Sequence, residues 1–417
     1  MNYAILHAAE LVTCAGGPKA GRDMNDIGLI KDGAVIVEDG IIKKVGTTDE
    51  ILKQDISSYE VIDAANKAVL PGFVDSHTHF VFGGYRAEEF SWRLRGESYM
   101  SIMEKGGGIA SSVNATRKAS KDELISSGRA RLEKMLDMGV TTVEGKSGYG
   151  LDKATELLQL EVMKELNDTQ PVDIAATFLG PHSVPPEYKG RERGFLDFQI
   201  REVLPVVAEE KLAEFADIFC EKNVFSAEDS EYYLKAAKDM DFKLKIHADE
   251  MTCLGGAQLA AGMGCISADH LLKASEEGIA RLAERKVAAT LLPATAFCLK
   301  EDFARAREMI DKGCMVALAS DYNPGSCFTN SIPLIIALAC IYMEMTIQET
   351  ITALTINGAA AIDRQQRVGS IEPGKKADII MLEYPSIHFL PYNTAVNTVE
   401  LVMKDGRIVK SGRGSDR

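Results

Sequence analysis

A chain of 417 residues is longer than one hydrophobic core ordinarily serves, so a large domain with a smaller companion is the organisation to expect. Its 46% hydrophobic, 26% charged and 7% aromatic residues are those of an ordinary globular protein. Sixty-one acidic against 47 basic side chains give a formal net charge of -14, which excludes the basic stripe that neutralises nucleic-acid phosphates.

Such an acidic chain attracts no small anion unaided, so an anionic ligand would need a cationic side chain inside its pocket. The 8 cysteines form no C-x-x-C pair, which argues against a thiolate metal site and for free thiols in a reducing compartment. No basic stretch followed by an apolar core opens the sequence, so no secretory leader is expected. The longest apolar run, 332–343, contains a proline and is too short to span a bilayer. A cytoplasmic protein without membrane or nucleic-acid partners is the expectation. A homo-oligomer, in its simplest form a dimer, is expected too, although burial explains the 332–343 run better than an interface does.

In chain order, residues 1–65 begin with short β-rich runs such as AVIVEDGIIKKVG (34–46), where Asp39-Gly40 has hairpin-turn chemistry. From 69 to about 325 the pattern alternates. Continuously apolar, β-branched runs lie at 69–75, 140–144, 172–179, 216–220, 243–248, 265–269, 287–292 and 315–320, as expected of parallel strands covered on both faces. Amphipathic helices lie between them. One carries Leu132, Met135 and Leu136 and ends at Gly139; another carries Leu158, Val162 and Leu166. Residues 370–417 return to short strands, ADIIMLE (377–383) and LVMKDGRIVKSG (401–412), with a second hairpin turn at Asp405-Gly406. Eight strand–helix repeats predict an α/β fold, a (β/α)8 TIM barrel over 66–369. A small β-sandwich-like domain built from 1–65 and 370–417 would sit beside it. A doubly wound sheet is the competing fold, but its glycine fingerprint after a first strand is missing.

Chemistry-bearing residues gather at the predicted strand ends. His77 and His79 follow the first strand, His247 ends the fifth, His270 follows the sixth and Asp321 follows the eighth. In a barrel those ends share one face, and residues i and i+2 on a strand point the same way. A lone histidine is most simply a satisfied core residue, whereas five such groups at strand C-termini are a metal site. Imidazoles with one carboxylate suit Zn or Fe and leave a position open for water. Glu250, three residues past His247, is the candidate proton shuttle, and His270 a candidate donor to a developing oxyanion. Arg86, seven residues past His79, is the cation sought for an anionic ligand. Lys146 also stands at a predicted strand end, after the second strand. The triple glycine 106–108 lacks a following GK[ST], so a loop near the mouth is favoured over a phosphate cradle.

The stretch PGFVDSHTH resembles the metal-binding first strand of the amidohydrolase superfamily, ASD-x-NPGS its eighth-strand aspartate, and VGSIEPGKKADIIML its return to the small β domain. Within it, HTHFVFGGYRAEEF, GGGIASSVNATR, KSGYGLD, KIHADE, SADHL, LPATAF and DYNPGS resemble the imidazolonepropionase family along most of the chain. Gly145 departs from that pattern, which more often places a bulkier apolar residue before Lys146. The resemblance implies one Zn or Fe ion per chain held by His77, His79, His247 and Asp321. It implies a small anionic imidazolone substrate, 4-imidazolone-5-propanoate, hydrolysed at its ring amide to N-formimidoyl-L-glutamate in histidine degradation. Glu250, His270 and Asp321 would then share proton transfer and charge stabilisation. Arg86, Tyr99, Tyr149, His182, Glu250, Asn323, Gly325 and Ser326 would contact substrate.

Two other readings compete. A deaminase of a purine, pyrimidine or related ring would share the metal set, but Arg86, Tyr149 and His182 fit a carboxylate-bearing ring better than a neutral base. A catalytically inactive scaffold would be expected to have lost ligands, and here the set is complete.

Overall fold

The computed structural model describes residues 2–97 and 107–412. Two sheets organise them. The first takes strands from both chain ends: β1 (Tyr3–Val12), β2 (Leu29–Glu38), β3 (Ile41–Thr47), β4 (Glu60–Asp63) and β5 (Ala68–Pro71) from one. The other end supplies β15 (Ile379–Leu382), β16 (Val399–Lys404) and β17 (Arg407–Ser411), giving the order β17-β16-β15-β5-β1-β2-β3 with β4 also on β1. Alternation along β1 makes this sheet two-sided. Tyr3 and Ile5 join Val35 and Val37 on one face, while Ala4 and Leu6 join Ala34 and Ile36 on the other. Both faces of this one mixed sheet are thus apolar and packed. Both expected hairpin turns form, with positive φ at Asp39 and Gly40 and again at Asp405 and Gly406. They abut: a Cβ on Gly406 would lie 2.6 Å from the Gly40 Cα, so neither chain end can substitute its glycine without moving the other.

The second sheet is wholly parallel. It runs β6 (Phe73–Asp75), β7 (Val140–Lys146), β8 (Asp173–Phe178), β9 (Phe215–Ala216), β11 (Lys243–Ala248), β12 (Ser267–His270), β13 (Ala288–Leu291) and β14 (Met315–Leu318), with β10 (Phe219–Cys220) also on β11. Eight staves thus form the barrel. A parallel bridge between Thr78 and Tyr322 joins first to last, reinforced by Asp321 N donating to His77 O at 3.0 Å and His79 N to Tyr322 O at 2.9 Å. Ser320 adds its N–H (2.9 Å) and Oγ–H (2.6 Å) to the Asp75 carboxylate across the same seam.

Two expected strands are divided. The run 69–75 is β5 followed by β6, because residues 69–71 pair with β1 and β15 of the end sheet and the chain changes sheet at Gly72. A Cβ on Gly72 would come within 2.4 Å of Thr141 Oγ1, so the crossing needs glycine. The run 216–220 breaks at Asp217–Ile218, and Asp217 turns its carboxylate into the barrel to meet Lys146.

The helix Lys121–Asp137 starts on a Ser120–Glu123 capping box, buries Leu132, Met135 and Leu136, and is followed by Gly139 at φ +88°. The helix Lys153–Thr169 is capped by Asp152 and buries Val162 and Leu166, with Leu158 half-buried beside them. Gly145 has a packing reason: an added Cβ would lie 2.7 Å from Phe80 and 3.0 Å from the Met163 sulfur, which fill the space of the absent side chain. Burying Phe80 contributes about 1.5–3 kcal/mol. The 332–343 run is a helix, Ile332–Tyr342, whose Ile332, Ile335, Ile336 and Leu338 enter the chain's own core while Ile341 and Tyr342 stay exposed. Among the described residues no helix is long and apolar enough to cross a membrane.

Candidate active site

The C-terminal ends of the barrel staves open into a cavity of about 370 Å³. At its floor the ligand atoms of His77, His79 and His247 lie within 4.8 Å of one another. Asp321 completes the group, with Oδ1 3.6 Å from Nε2 of both His77 and His79. Burial drives His77 and His79 far below the ordinary histidine pKa, so both are neutral, the state in which imidazole ligates metal. Among the described residues, the Nε2 atoms of His77 and His247 are buried without a hydrogen-bond partner. An orphaned buried nitrogen costs about 1–3 kcal/mol, and two of them grouped with His79 and Asp321 are a donor set that a divalent metal ion satisfies.

A charged layer lies directly beneath. His77 Nδ1 is 2.7 Å from Asp269 Oδ2, and His247 Nδ1 is 3.0 Å from Asp217 Oδ2. The Asp269 carboxylate thereby fixes the His77 ring proton on Nδ1 and turns Nε2 toward the floor, while Asp217 lies in ion-pair contact with His247. Lys146 in turn lies 2.7 Å from Asp217, 2.9 Å from Glu144 and 3.5 Å from Asp269, while Lys245 is 3.4 Å from Glu144. All five side chains are fully buried. Burial pushes Asp217 upward, yet His247 and Lys146 overcome it and hold the carboxylate well below its usual range. His77, Glu144 and Asp269 form a second potential ligand trio, but the two ammonium groups already contact its carboxylates.

The walls carry the remaining candidates. Asp321 has φ +52° and His270 φ +77°, both in the left-handed region that non-glycine residues avoid. The Asp321 carboxylate accepts from Thr295 Oγ1 at 2.6 Å and Asn323 Nδ2 at 3.1 Å, and burial pushes it up to about 6. Burial, then Asp321, pushes Glu250 up to about 8; its Oε2 lies 3.6 Å from His270 Nδ1. Burial drives His270 well down, so it is neutral. His182 stacks on His79 with ring centroids 4.9 Å apart, and its Nδ1 lies 3.0 Å from Gly148 O. Burial lowers His182 to about 3 and raises the Tyr149 phenol, so both stay uncharged. Arg86 also reaches the cavity, but its fork is not free: Nε donates to Glu89 Oε2 at 2.8 Å and a terminal nitrogen to Oε1. Asn323 is largely committed to its own loop, its Oδ1 accepting from the N–H groups of Gly325 and Ser326, both at 2.8 Å. Gly325 gives Arg86 clearance, because a Cβ there would fall 2.0 Å from the guanidinium. Tyr99 and Gly106 lie outside the described residues.

Five groups at this site were given no role from sequence: Asp217, Asp269, Lys245, Glu89 and Arg93. Asp269 was findable, since it sits two residues after Ser267 on one strand and beside His270. Arg93 follows Arg86 by seven residues, two helical turns along one face. The place of Asp217 beneath the floor depends on the break in its strand, which no pattern announces.

A histidine trio and an aspartate at the C-terminal mouth of a parallel barrel, with an end-built β module beside it, define a metal-dependent hydrolase. The amidohydrolase family profile matches residues 68–409, and the chain belongs to that family. Likeness in fold extends to solved structures at low identity. A triazine hydrolase from Arthrobacter aurescens superposes with a TM-score of 0.74 at 19% identity, covering 98% of this chain and 95% of its own. An adenosine deaminase from Xanthomonas campestris with bound zinc gives 0.69 at 18%, covering 99% and 93%. The sequence relatives are far nearer. The imidazolonepropionase of Clostridium tetani is 62% identical over 410 residues, 98% of either chain, and that of Parabacteroides distasonis is 59% identical over 97% of this chain and 98% of its own. Within the amidohydrolases, the chain is a member of the imidazolonepropionase family.

Proposed function

We propose that this chain hydrolyses the ring amide of 4-imidazolone-5-propanoate to N-formimidoyl-L-glutamate. The observation that carries the reading is the floor of the cavity: three neutral or orphaned imidazoles and a carboxylate beneath a wall with two arginines. His77, His79, His247 and Asp321 would hold one Zn or Fe ion. One ion per chain is favoured because Lys146 and Lys245 already meet the carboxylates of the second trio. Such an ion supplies Lewis acidity, lowering the pKa of water to about 7 and polarising a carbonyl.

The chain's own groups account for the proton traffic. Asp321, ionised at neutral pH and oriented by Thr295 and Asn323, takes the proton of the attacking water as its oxygen bonds to the ring carbonyl carbon. His270, neutral and with no competing hydrogen bond among the described residues, donates to the carbonyl oxygen as negative charge builds there. Glu250, pushed to about 8, is protonated at neutral pH and gives its proton to the ring nitrogen as the C–N bond breaks. General acid–base help of this kind is worth roughly 10²–10⁴ in rate. Tyr149 and His182 bound the ring, and the propanoate tail points to the arginine wall.

A ring deaminase would use the same floor, yet it has no need of the arginines. The test is turnover of freshly generated 4-imidazolone-5-propanoate by metal-analysed protein, followed as formimidoylglutamate by mass. Chelator-sensitive product with one metal per chain is the expected result; fully metallated protein that makes none overturns the substrate.

A further inference from the structure

The helix Ala87–Leu94 brings two arginines to the cavity, and the structure treats them differently. Arg86 is bound on two edges by the buried Glu89 carboxylate, which also accepts the Gly108 N–H at 2.7 Å. Its charge is therefore met within the protein. Arg93 instead donates from a terminal nitrogen to a neutral group, the Gly325 carbonyl, at 2.7 Å. Its Nε is buried with no hydrogen-bond partner among the described residues. Phe90 stacks beside it, 5.7 Å from the guanidinium carbon, and packs on Phe328 at 4.6 Å, so the arginine is fenced on one side by rings. A further acid on the wall, Glu97, lies 3.9 Å from Arg95.

Among the described residues, a half-buried guanidinium with an unmet donor and a neutral carbonyl as its hydrogen-bond partner is a site suited to an anion. We propose that Arg93 is a carboxylate-binding residue that shares the substrate's propanoate with Arg86 and sets the preference for an anionic over a neutral side chain. This rests on the hydrolytic reading above. Arg86, held side-on by Glu89, fixes the direction of approach, and Arg93, which feels the Glu89 charge without hydrogen-bonding to it, supplies the unmet donor. Through the Gly325 carbonyl the same guanidinium ties the helix to the loop that follows Asp321, so occupation of the carboxylate subsite bears directly on that loop.

The test uses the metallated full-length protein and two stable probes, 3-(imidazol-4-yl)propanoate and its uncharged amide, measured by calorimetry. Losing a charge-assisted hydrogen bond corresponds to about a 10- to 100-fold loss of affinity. Arg93→Met is expected to weaken the acid by that factor and leave the amide within about twofold. KM for the imidazolone substrate should rise in step while kcat stays within a few-fold. Arg93→Lys, keeping a point charge without the fork, should recover part of the loss for the acid alone. Equal losses for acid and amide would reduce Arg93 to a support for the Gly325 loop and overturn the proposal, as would no loss for either. If Arg93→Met does not fold, Arg93→Lys still reads the same acid-against-amide contrast. Wild-type protein that binds the acid through Arg93 but makes no formimidoylglutamate would sink the reaction reading and retain the carboxylate site.

Discussion

Lys146 offers the sharpest test of how the metal floor is held. Its ammonium lies among Glu144, Asp217 and Asp269 at 2.9, 2.7 and 3.5 Å, in a fully buried group whose other cation is Lys245. With three carboxylates and two ammoniums the cluster carries one net negative charge; Lys146→Met, close in volume, would make that two. Breaking a buried ion pair from one side costs about 3–5 kcal/mol, because the stranded carboxylates have no water to turn to. The variant relieves this by taking up protons. Asp217 and Asp269 are both held low in the wild type with Lys146 among the causes, so their pKa values rise when it is gone. The stability deficit should accordingly be largest at pH 8 and shrink toward pH 5. A protonated Asp269 no longer fixes the proton on His77, a change that typically costs 10–100-fold in metal affinity. Urea unfolding across that pH range, paired with metal competition against a chelator, measures both. A variant within about 1 kcal/mol of wild type with unchanged metal retention would refute the argument. Two metals per chain in Lys146→Met would support the ammonium as the group that excludes a second ion.

Asp321→Ala and His247→Ala should each abolish turnover and lower bound metal, read by elemental analysis of the purified variants. Dialysis against a strong chelator should remove activity and re-addition of Zn or Fe restore it. Gly325→Ala puts a methyl 2.0 Å from the Arg86 guanidinium, which must shift by over 1 Å and loosen its grip on Glu89; KM for the carboxylated substrate should rise about 10-fold or more with a smaller change in kcat. Glu156 accepts the N–H groups of Gly148, Gly150 and Leu151 at 3.0, 2.9 and 2.8 Å and thereby pins the loop that carries Tyr149. Burial nonetheless raises its pKa, so its contribution is complete below the unfolded carboxylate value and declines as pH rises toward the folded one. Glu156→Gln should lose that dependence, and its stability relative to wild type should improve as pH rises above the unfolded carboxylate value in denaturant titrations.

The sequence disclosed the parts of this molecule that depend on periodicity and strand-end position. Apolar runs of parallel-strand length announced the barrel, and His77, His79, His247, His270 and Asp321 announced its mouth. What it hid depends on the third dimension. Asp217 reaches the floor because its strand breaks, and the two-residue pieces either side carry too few apolar positions to reveal the gap. The split at Gly72 was masked because 69–75 is apolar throughout, a pattern equally suited to one long strand or to two in different sheets. Arg86 was legible as a cation, but its partner Glu89 lies one helical turn away and reads in sequence as an ordinary i,i+3 surface pair. Gly325, expected to contact substrate, gives clearance to a side chain far away in sequence, and no single-sequence pattern records a steric vacancy of that kind.

The end sheet has a consequence in time. Strand β5, at residues 68–71, is finished on one side by β15, at 379–382. Roughly 300 residues separate them, and at about 5–20 residues per second a ribosome needs roughly 15–60 s to close that gap. Through that interval the nascent N-terminal strands present an open edge of Val69 and Leu70, guarded mainly by Pro71, which has no N–H to offer a stray strand. The barrel must therefore be synthesised while its neighbour waits half-built, and premature termination anywhere before residue 379 leaves that edge permanently available to other chains.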